Sequence, residues 1–167
     1  LLNSSKTGRM MNRLGYKKTL IRSMMVMVMG VAFYFASALC AEYCSDVTIG
    51  FGNDIVPIGY FVFLLGSYIM GTSAAMLQVV INPYIAAYPL PGTQAVQRMN
   101  FTCAINSIGT TIAPFFVTAV MFSGVPLDRV SASQLTLPFL VMMIVIAFTT
   151  WSTSKASLPD IEGTREE

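Results

Sequence analysis

From Ile55 to Gln97 the chain reads IVPIGYFVFLLGSYIMGTSAAMLQVVINPYIAAYPLPGTQAVQ, 43 residues without an Asp, Glu, Lys or Arg. At about 1.5 Å rise per residue, ~20 mostly apolar residues cross the hydrocarbon core of a bilayer as a helix. The stretch is therefore long enough for one extended span and the entry to a second. Working outward, three more charge-free runs follow: 19 residues between Arg22 and Glu42, 29 from Met99 to Leu127, and 25 from Val130 to Ser154. In hydrocarbon only helices and closed barrels satisfy every backbone group, and runs of this length are not barrel strands. The sequence predicts an all-α membrane protein with four transmembrane helices at about 19–41, 55–87, 95–122 and 136–154. Residues 1–18 are left as a basic loop and 155–167 as the start of a solvated one.

Composition supports a multi-pass membrane protein with the lipid bilayer as its first partner. The 167 residues are 54% hydrophobic and 11% charged, with a mean hydropathy of +0.65. Soluble domains run nearer ~25% charged. There is no histidine, which removes His-based acid/base chemistry and His metal ligation. Three cysteines without histidine do not complete a four-ligand zinc site. A net charge of +2 is too small to argue for nucleic acid. Every Asp and Glu falls outside the expected spans and no nucleophile–base pair is visible, so neither an enzyme nor a bound cofactor is expected.

Orientation follows from the basic residues. Lys6, Arg9, Arg13, Lys17, Lys18 and Arg22 crowd the first 22 residues, whereas the loop 42–54 holds only Glu42, Asp46 and Asp54. The excess of Lys and Arg on the cytoplasmic side places the start inside, the loop outside and, after four crossings, both ends in the cytoplasm. Arg98 and Lys155 fall on the inner side, Arg129 beside Asp128 is an exception, and Trp151 sits near the inner end of the last helix.

Helical angles bring out two polar stripes. With Gln78 at 0° and ~100° per residue, Tyr60, Ser67, Gly71, Ala74, Ala75 and Asn82 fall within about 60° of it. Ile58, Leu65, Ile69, Met76 and Val80 take the other side, expected to face lipid. Gly66, Ser67 and Gly71 suit close helix packing, while an amide such as Gln78 is costly in a bilayer unless it faces a bundle interior or a wet cavity. On the next helix Asn100, Cys103, Asn106, Ser107, Thr110, Thr111 and Pro114 share an arc of about 140°. Phe101, Ile105, Ile108, Ile112, Phe115 and Phe116 lie opposite. Asn106 is the strongest candidate on this arc, since Ser107 and Thr110 can bond to their own helix. Asn82-Pro83-Tyr84 is expected to break its helix or, more commonly for such a proline, to kink it, because Pro83 removes one backbone bond. Asn3-Ser4-Ser5 and Asn100-Phe101-Thr102 match the glycosylation sequon but sit where glycosylation does not reach. Cys40 and Cys44 read as small apolar residues near the outer end of the first span.

The stretch Gly8-Arg9-Met10-Met11-Asn12-Arg13-Leu14-Gly15-Tyr16-Lys17-Lys18 resembles the basic loop between helices two and three of the major facilitator superfamily. Leu77-Gln78-Val79-Val80-Ile81-Asn82-Pro83-Tyr84, Arg98-Met99-Asn100 and Asn106-Ser107-Ile108-Gly109-Thr110-Thr111-Ile112-Ala113-Pro114 are similar to a narrower group. This is the fucose–proton symporter family, with its bacterial glucose/galactose transporter branch. Ser154-Lys155-Ala156-Ser157-Leu158-Pro159-Asp160-Ile161 resembles the start of that family's central cytoplasmic loop.

The resemblance implies that these are helices three to six of twelve, in part of a six-helix N-terminal domain, and that the chain is a fragment of a longer transporter or a truncated reading frame. It implies a bacterial inner-membrane secondary transporter of a monosaccharide such as fucose, glucose or galactose, working by alternating access with a proton or sodium as coupling ion. Gln78, Asn82, Cys103, Asn106 and Thr110 become substrate-binding candidates. Gly8, Asn12, Arg13, Gly15, Lys17 and Lys18 form the conformational loop motif, and Pro83 and Pro114 are helix kinks. Gln78 stands at the position of a coupling glutamate, Cys103 where many members have glutamine, and Asn12 where the loop usually has aspartate. Amides suit a sugar because they donate and accept as hydroxyls do. The remaining transporter helices are expected as partners. Two other readings stand beside this one: a non-transporting membrane scaffold, and a major facilitator exporter of lipophilic compounds.

Overall fold

The computed structural model describes residues 2–44, 46–51, 54–121 and 132–158. Asp128, Arg129 and the tail from residue 159 onward lie outside the described residues. Helix α1 (Leu2–Leu14) is followed by α2 (Tyr16–Tyr43). A hairpin of β1 (Thr48–Phe51) and β2 (Asp54–Pro57) leads into α3 (Ile58–Ala87). Then come α4 (Ala95–Phe116), prolonged by a π-helical turn Val117–Met121, and α5 (Ala132–Lys155). Four helices are long and apolar enough to cross a membrane: Tyr16–Tyr43, Ile58–Ala87, Ala95–Ala119 and Gln134–Lys155. The all-α membrane class therefore holds among the described residues. The hairpin, where a plain loop was expected, adds one antiparallel ladder pairing Thr48 with Pro57 and Phe51 with Asp54.

The basic segment expected as a loop is also helical. Met11 and Leu14 are part-buried on α1, Thr7 is buried, and the helix packs onto α3 and α2. Gly15 ends it at φ 80°, a left-handed conformation that a side chain would oppose. The chain then turns directly into α2, where Thr19 Oγ1 donates to the Gly15 carbonyl at 2.8 Å.

The best-packed part of the molecule is the antiparallel pair α2–α3. Its seam consists of Tyr16, Ser23, Gly30 and Ser37 on α2 and Gly59, Gly66, Ser73 and Val80 on α3, all buried. Both sets recur every seven residues, the period of a left-handed helix pair. Ser73 Oγ donates to the Ser23 carbonyl at 2.8 Å, and Ser37 Oγ to the Gly59 carbonyl at 2.8 Å. A Cβ built on Gly66 would stand 3.1 Å from the Phe33 Cβ and 3.3 Å from the Gly30 carbonyl oxygen, so the absence of a side chain sets the helix spacing. Small residues that admit close backbone approach drive helix association where no hydrophobic effect separates helix from lipid. Helix α5 closes on α2, with Tyr34 stacked on Phe139 at 5.4 Å.

Two expectations are corrected here. Val80 does not face lipid; it is 1% exposed, covered from α2 by Tyr16 and Leu20. Asn82-Pro83-Tyr84 does not break α3, which stays helical to Ala87 with Pro83 inside it. Tyr84 is held against Tyr16 at a ring separation of 5.8 Å, which keeps the turn after the proline in place. Pro114 likewise lies inside α4, and the chain passes into the π turn three residues later.

Candidate substrate-binding faces

Helices α3 and α4 join through Leu90-Pro91-Gly92-Thr93, where Gly92 has φ 76° and the Thr93 amide donates to the Leu90 carbonyl. Proline followed by glycine at positive φ is the pattern of a type II turn. A reciprocal cap then starts α4: the Gln94 amide donates to Gln97 Oε1 at 2.9 Å, and the Gln94 side chain accepts from the Gln97 amide. Arg98 ties the corner together. Its Nε donates to the Ile85 carbonyl at 3.0 Å and its Nη2 to the Ala86 carbonyl at 2.6 Å, while Nη1 reaches the Thr93 carbonyl at 2.8 Å. One guanidinium thus satisfies carbonyls in the last turn of α3, where a cation also suits the helix dipole. This role was not read from the sequence. An arginine just past the Pro-Gly turn, on the first turn of the next helix, was the available signal.

Against this fixed corner, the two polar stripes meet different fates. On α3, Tyr60, Gly71, Ala74, Gln78 and Asn82 are all exposed, and a Cβ on Gly71 would meet nothing within 4 Å. Gly71 is therefore no packing residue among the described helices, whereas Gly66 is. Ser67 is part-buried; it donates to the Phe63 carbonyl at 2.9 Å and accepts from the Tyr34 hydroxyl at 3.2 Å. On α4 no residue is buried at all. Asn106 and Cys103 are exposed. The Thr110 and Thr111 hydroxyls donate to the Ser107 carbonyl at 3.0 and 2.8 Å, and Ser107 to the Cys103 carbonyl at 2.9 Å.

The hydroxyls of the arc are thus satisfied within their own helix, and the amides are not. Gln78, Asn82 and Asn106 make no hydrogen bond among the described residues, and none joins Gln78 to Asn106. The structure brings the five binding candidates onto neighbouring helices without enclosing them. No charged side chain lies on α3, and Arg98, at the corner, is the one charge on α4.

The loop-motif residues part company as well. Gly8 has open space around it and Asn12 and Lys18 are exposed. Arg13 lines a hollow with Lys6, Arg9 and Arg22, while Lys17 Nζ donates to the Ala156 carbonyl at 2.7 Å and joins the start of α2 to the end of α5. Cys40, Cys44 and Cys103 are free thiols.

No family model and no solved structure matches the chain. Curated relatives do. The chain is 27% identical over 161 residues to the glucose/galactose transporters of Brucella abortus biovar 1 (strain 9-941) and Brucella abortus (strain 2308), covering 95% of this chain and 35% of each relative. It is 25% identical over 134 residues to the L-fucose-proton symporter of Escherichia coli (strain K12), covering 77% of this chain and 26% of that protein. The chain thus spans about a third of the length of the relatives it matches. Their names are those of the family and branch that the motifs resemble.

Proposed function

We propose that this chain, a relative of glucose/galactose transporters and an L-fucose-proton symporter, forms part of a membrane transporter that carries a monosaccharide by alternating access. The observation that carries this reading is the division of labour on α3. One side is sealed against α2, and the other presents Gln78 and Asn82 uncovered, while the next helix, α4, leaves Asn106 uncovered as well. Amides exposed on a membrane helix are expensive unless they meet a polar cavity or a ligand. A neutral sugar, whose hydroxyls donate and accept, is a partner that needs no charge in return. Transporters built from two rocking halves hold substrate near the midplane, between helices that expose such groups.

In this reading Gln78 and Asn106 bracket the sugar ring, Asn82 adds a third amide, and Cys103 and Thr110 line the same wall. The basic start and Lys155 lie in the cytoplasm, and a proton or sodium ion couples to transport. Gln78 does not itself titrate, so a proton would be exchanged elsewhere.

Uptake of labelled fucose, glucose and galactose by cells expressing the whole protein tests the proposal. Asn106→Ala removes at least one sugar hydrogen bond, worth ~1–3 kcal/mol, and should weaken apparent affinity roughly 5- to 150-fold. Thr149→Ala, whose hydroxyl only bonds the Val145 carbonyl of its own helix, should leave affinity unchanged. Gln78→Glu installs a titratable group and should make uptake depend on pH where the parent does not. Equal, pH-insensitive uptake by the parent and both amide variants would reduce these amides to packing. No uptake of any sugar would favour the scaffold reading, and efflux of lipophilic dyes the exporter reading.

A further inference from the structure

The proposed sugar-binding residues of α3 and α4 include none of the cations gathered on α1 and the start of α2. Lys6, Arg9 and Arg13 follow one another at three- and four-residue spacing on α1, so they share one helix face. Arg22 comes to the same place from the second turn of α2, its Nη1 lying 4.0 Å from Met10 Sδ. With Met10 and Leu14, these four side chains line one open hollow of about 530 Å³.

Among the described residues no acidic side chain lines the hollow. No acidic residue precedes Glu42. Glu42 and Asp46 lie at or beyond the far end of α2, roughly 30 Å from Arg22 at 1.5 Å rise per residue. Like charges brought together beside a low-dielectric membrane repel one another unless an anion joins them. Helix α2 is long and apolar enough to cross a membrane, and Arg22 lies about 9 Å from its start by the same rise. Its long side chain reaches back toward the surface helix α1, as charged side chains near the ends of spans do. Close to the end of a span, the hollow is within reach of lipid headgroups, with apolar Met10 and Leu14 in its wall.

We propose that this hollow binds the phosphate of an anionic membrane lipid, with Lys6, Arg9, Arg13 and Arg22 as its ligands. Guanidinium forks pair with phosphate oxygens two at a time, and Met10 and Leu14 meet the apolar part of the lipid below the headgroup. Basic pockets at the cytoplasmic ends of membrane helices suit such headgroups. The site is independent of the sugar reading, and its test reads lipid rather than transport.

The whole protein is purified, stripped of lipid in detergent and exposed to phosphatidylglycerol or phosphatidylcholine, and the bound lipid is counted by native mass spectrometry. Phosphatidylglycerol should be retained and phosphatidylcholine not. Arg9→Gln and Arg13→Gln should each weaken retention roughly fivefold, the factor expected for one interfacial charge. Arg9→Lys and Arg13→Lys, which keep the charge and guard against a mere loss of folding, should preserve most of it. Equal retention of the two lipids, or no effect of the glutamine variants, would overturn the site. Displacement by millimolar inorganic phosphate would assign it to the free ion instead of a lipid. Retention that appears only after Asp160, Glu162, Glu166 and Glu167 are changed to their amides would show that the acidic tail fills the hollow, and would overturn the proposal as well.

Discussion

The two sides of α3 are made of similar residues and do opposite things. Gly59, Gly66 and Ser73 on one side, and Gly71, Ala74 and Gln78 on the other, are all small or polar. The first set is buried in the seam with α2; Gly71, Ala74 and Gln78 are exposed. Spacing and hydrogen-bonding capacity separate them. The seam residues repeat every seven positions, matching a heptad on α2, and their serine hydroxyls are small enough to reach a carbonyl on the partner helix. An amide carries two donors and an acceptor, more than its own helix satisfies, so Gln78 remains available to something else.

This contrast can be broken most severely at its glycines. Gly66→Leu forces a side chain against the backbone of Gly30 and the Cβ of Phe33, and should cost about 3 kcal/mol, the upper end of overpacking. A thermal-unfolding series in detergent would read this as a large loss. Gly71→Leu, into open space, should leave the melting temperature nearly unchanged while impairing sugar uptake. The reverse ranking would mean that the seam has been placed on the wrong face.

Next in size is the corner that orients α4. Arg98→Gln keeps an amide that can still donate but loses the charge on its bonds to the Ile85 and Ala86 carbonyls, for a net loss of about 2 kcal/mol. The expected outcome is faster backbone hydrogen exchange in residues 84–94, with the α2–α3 seam unaffected. The smallest effect belongs to Ser73→Ala. It deletes one interhelical hydrogen bond, which in a membrane averages ~0.6 kcal/mol. A loss several times larger would show that the seam relies on hydroxyls more than on close approach.

Much of this was legible from residue order. Charge-free runs located the spans because hydrocarbon leaves the backbone few alternatives. The Pro91-Gly92 turn and the polar arc of α4 also follow from local pattern. Gly66 reads as a packing residue from its size, but the rest of the seam is hidden when the helix is viewed from its most polar residue, Gln78, which gathers amides rather than packing contacts. The signal was nonetheless present as paired heptads of small residues, Ser23-Gly30-Ser37 and Gly59-Gly66-Ser73. Val80 is the next step of that repeat, but its hydropathy suits lipid equally well, and Tyr16 and Leu20 of α2 lie beside it. The bonds of Arg98 to Ile85 and Ala86 and of Lys17 to Ala156 depend on chain reversals, which periodicity does not encode.

Helix α3 seals with one side and, in the proposed function, meets substrate with the other. Single cysteines at 73 and 78, in a whole protein whose Cys40, Cys44 and Cys103 have been replaced by serine, test it most directly. A water-soluble thiol reagent should modify position 78 readily, and a transported monosaccharide should slow that reaction in proportion to its occupancy. Position 73 should react slowly with or without sugar. Rapid labelling at 73, or labelling at 78 that no transported sugar slows, would contradict the claim.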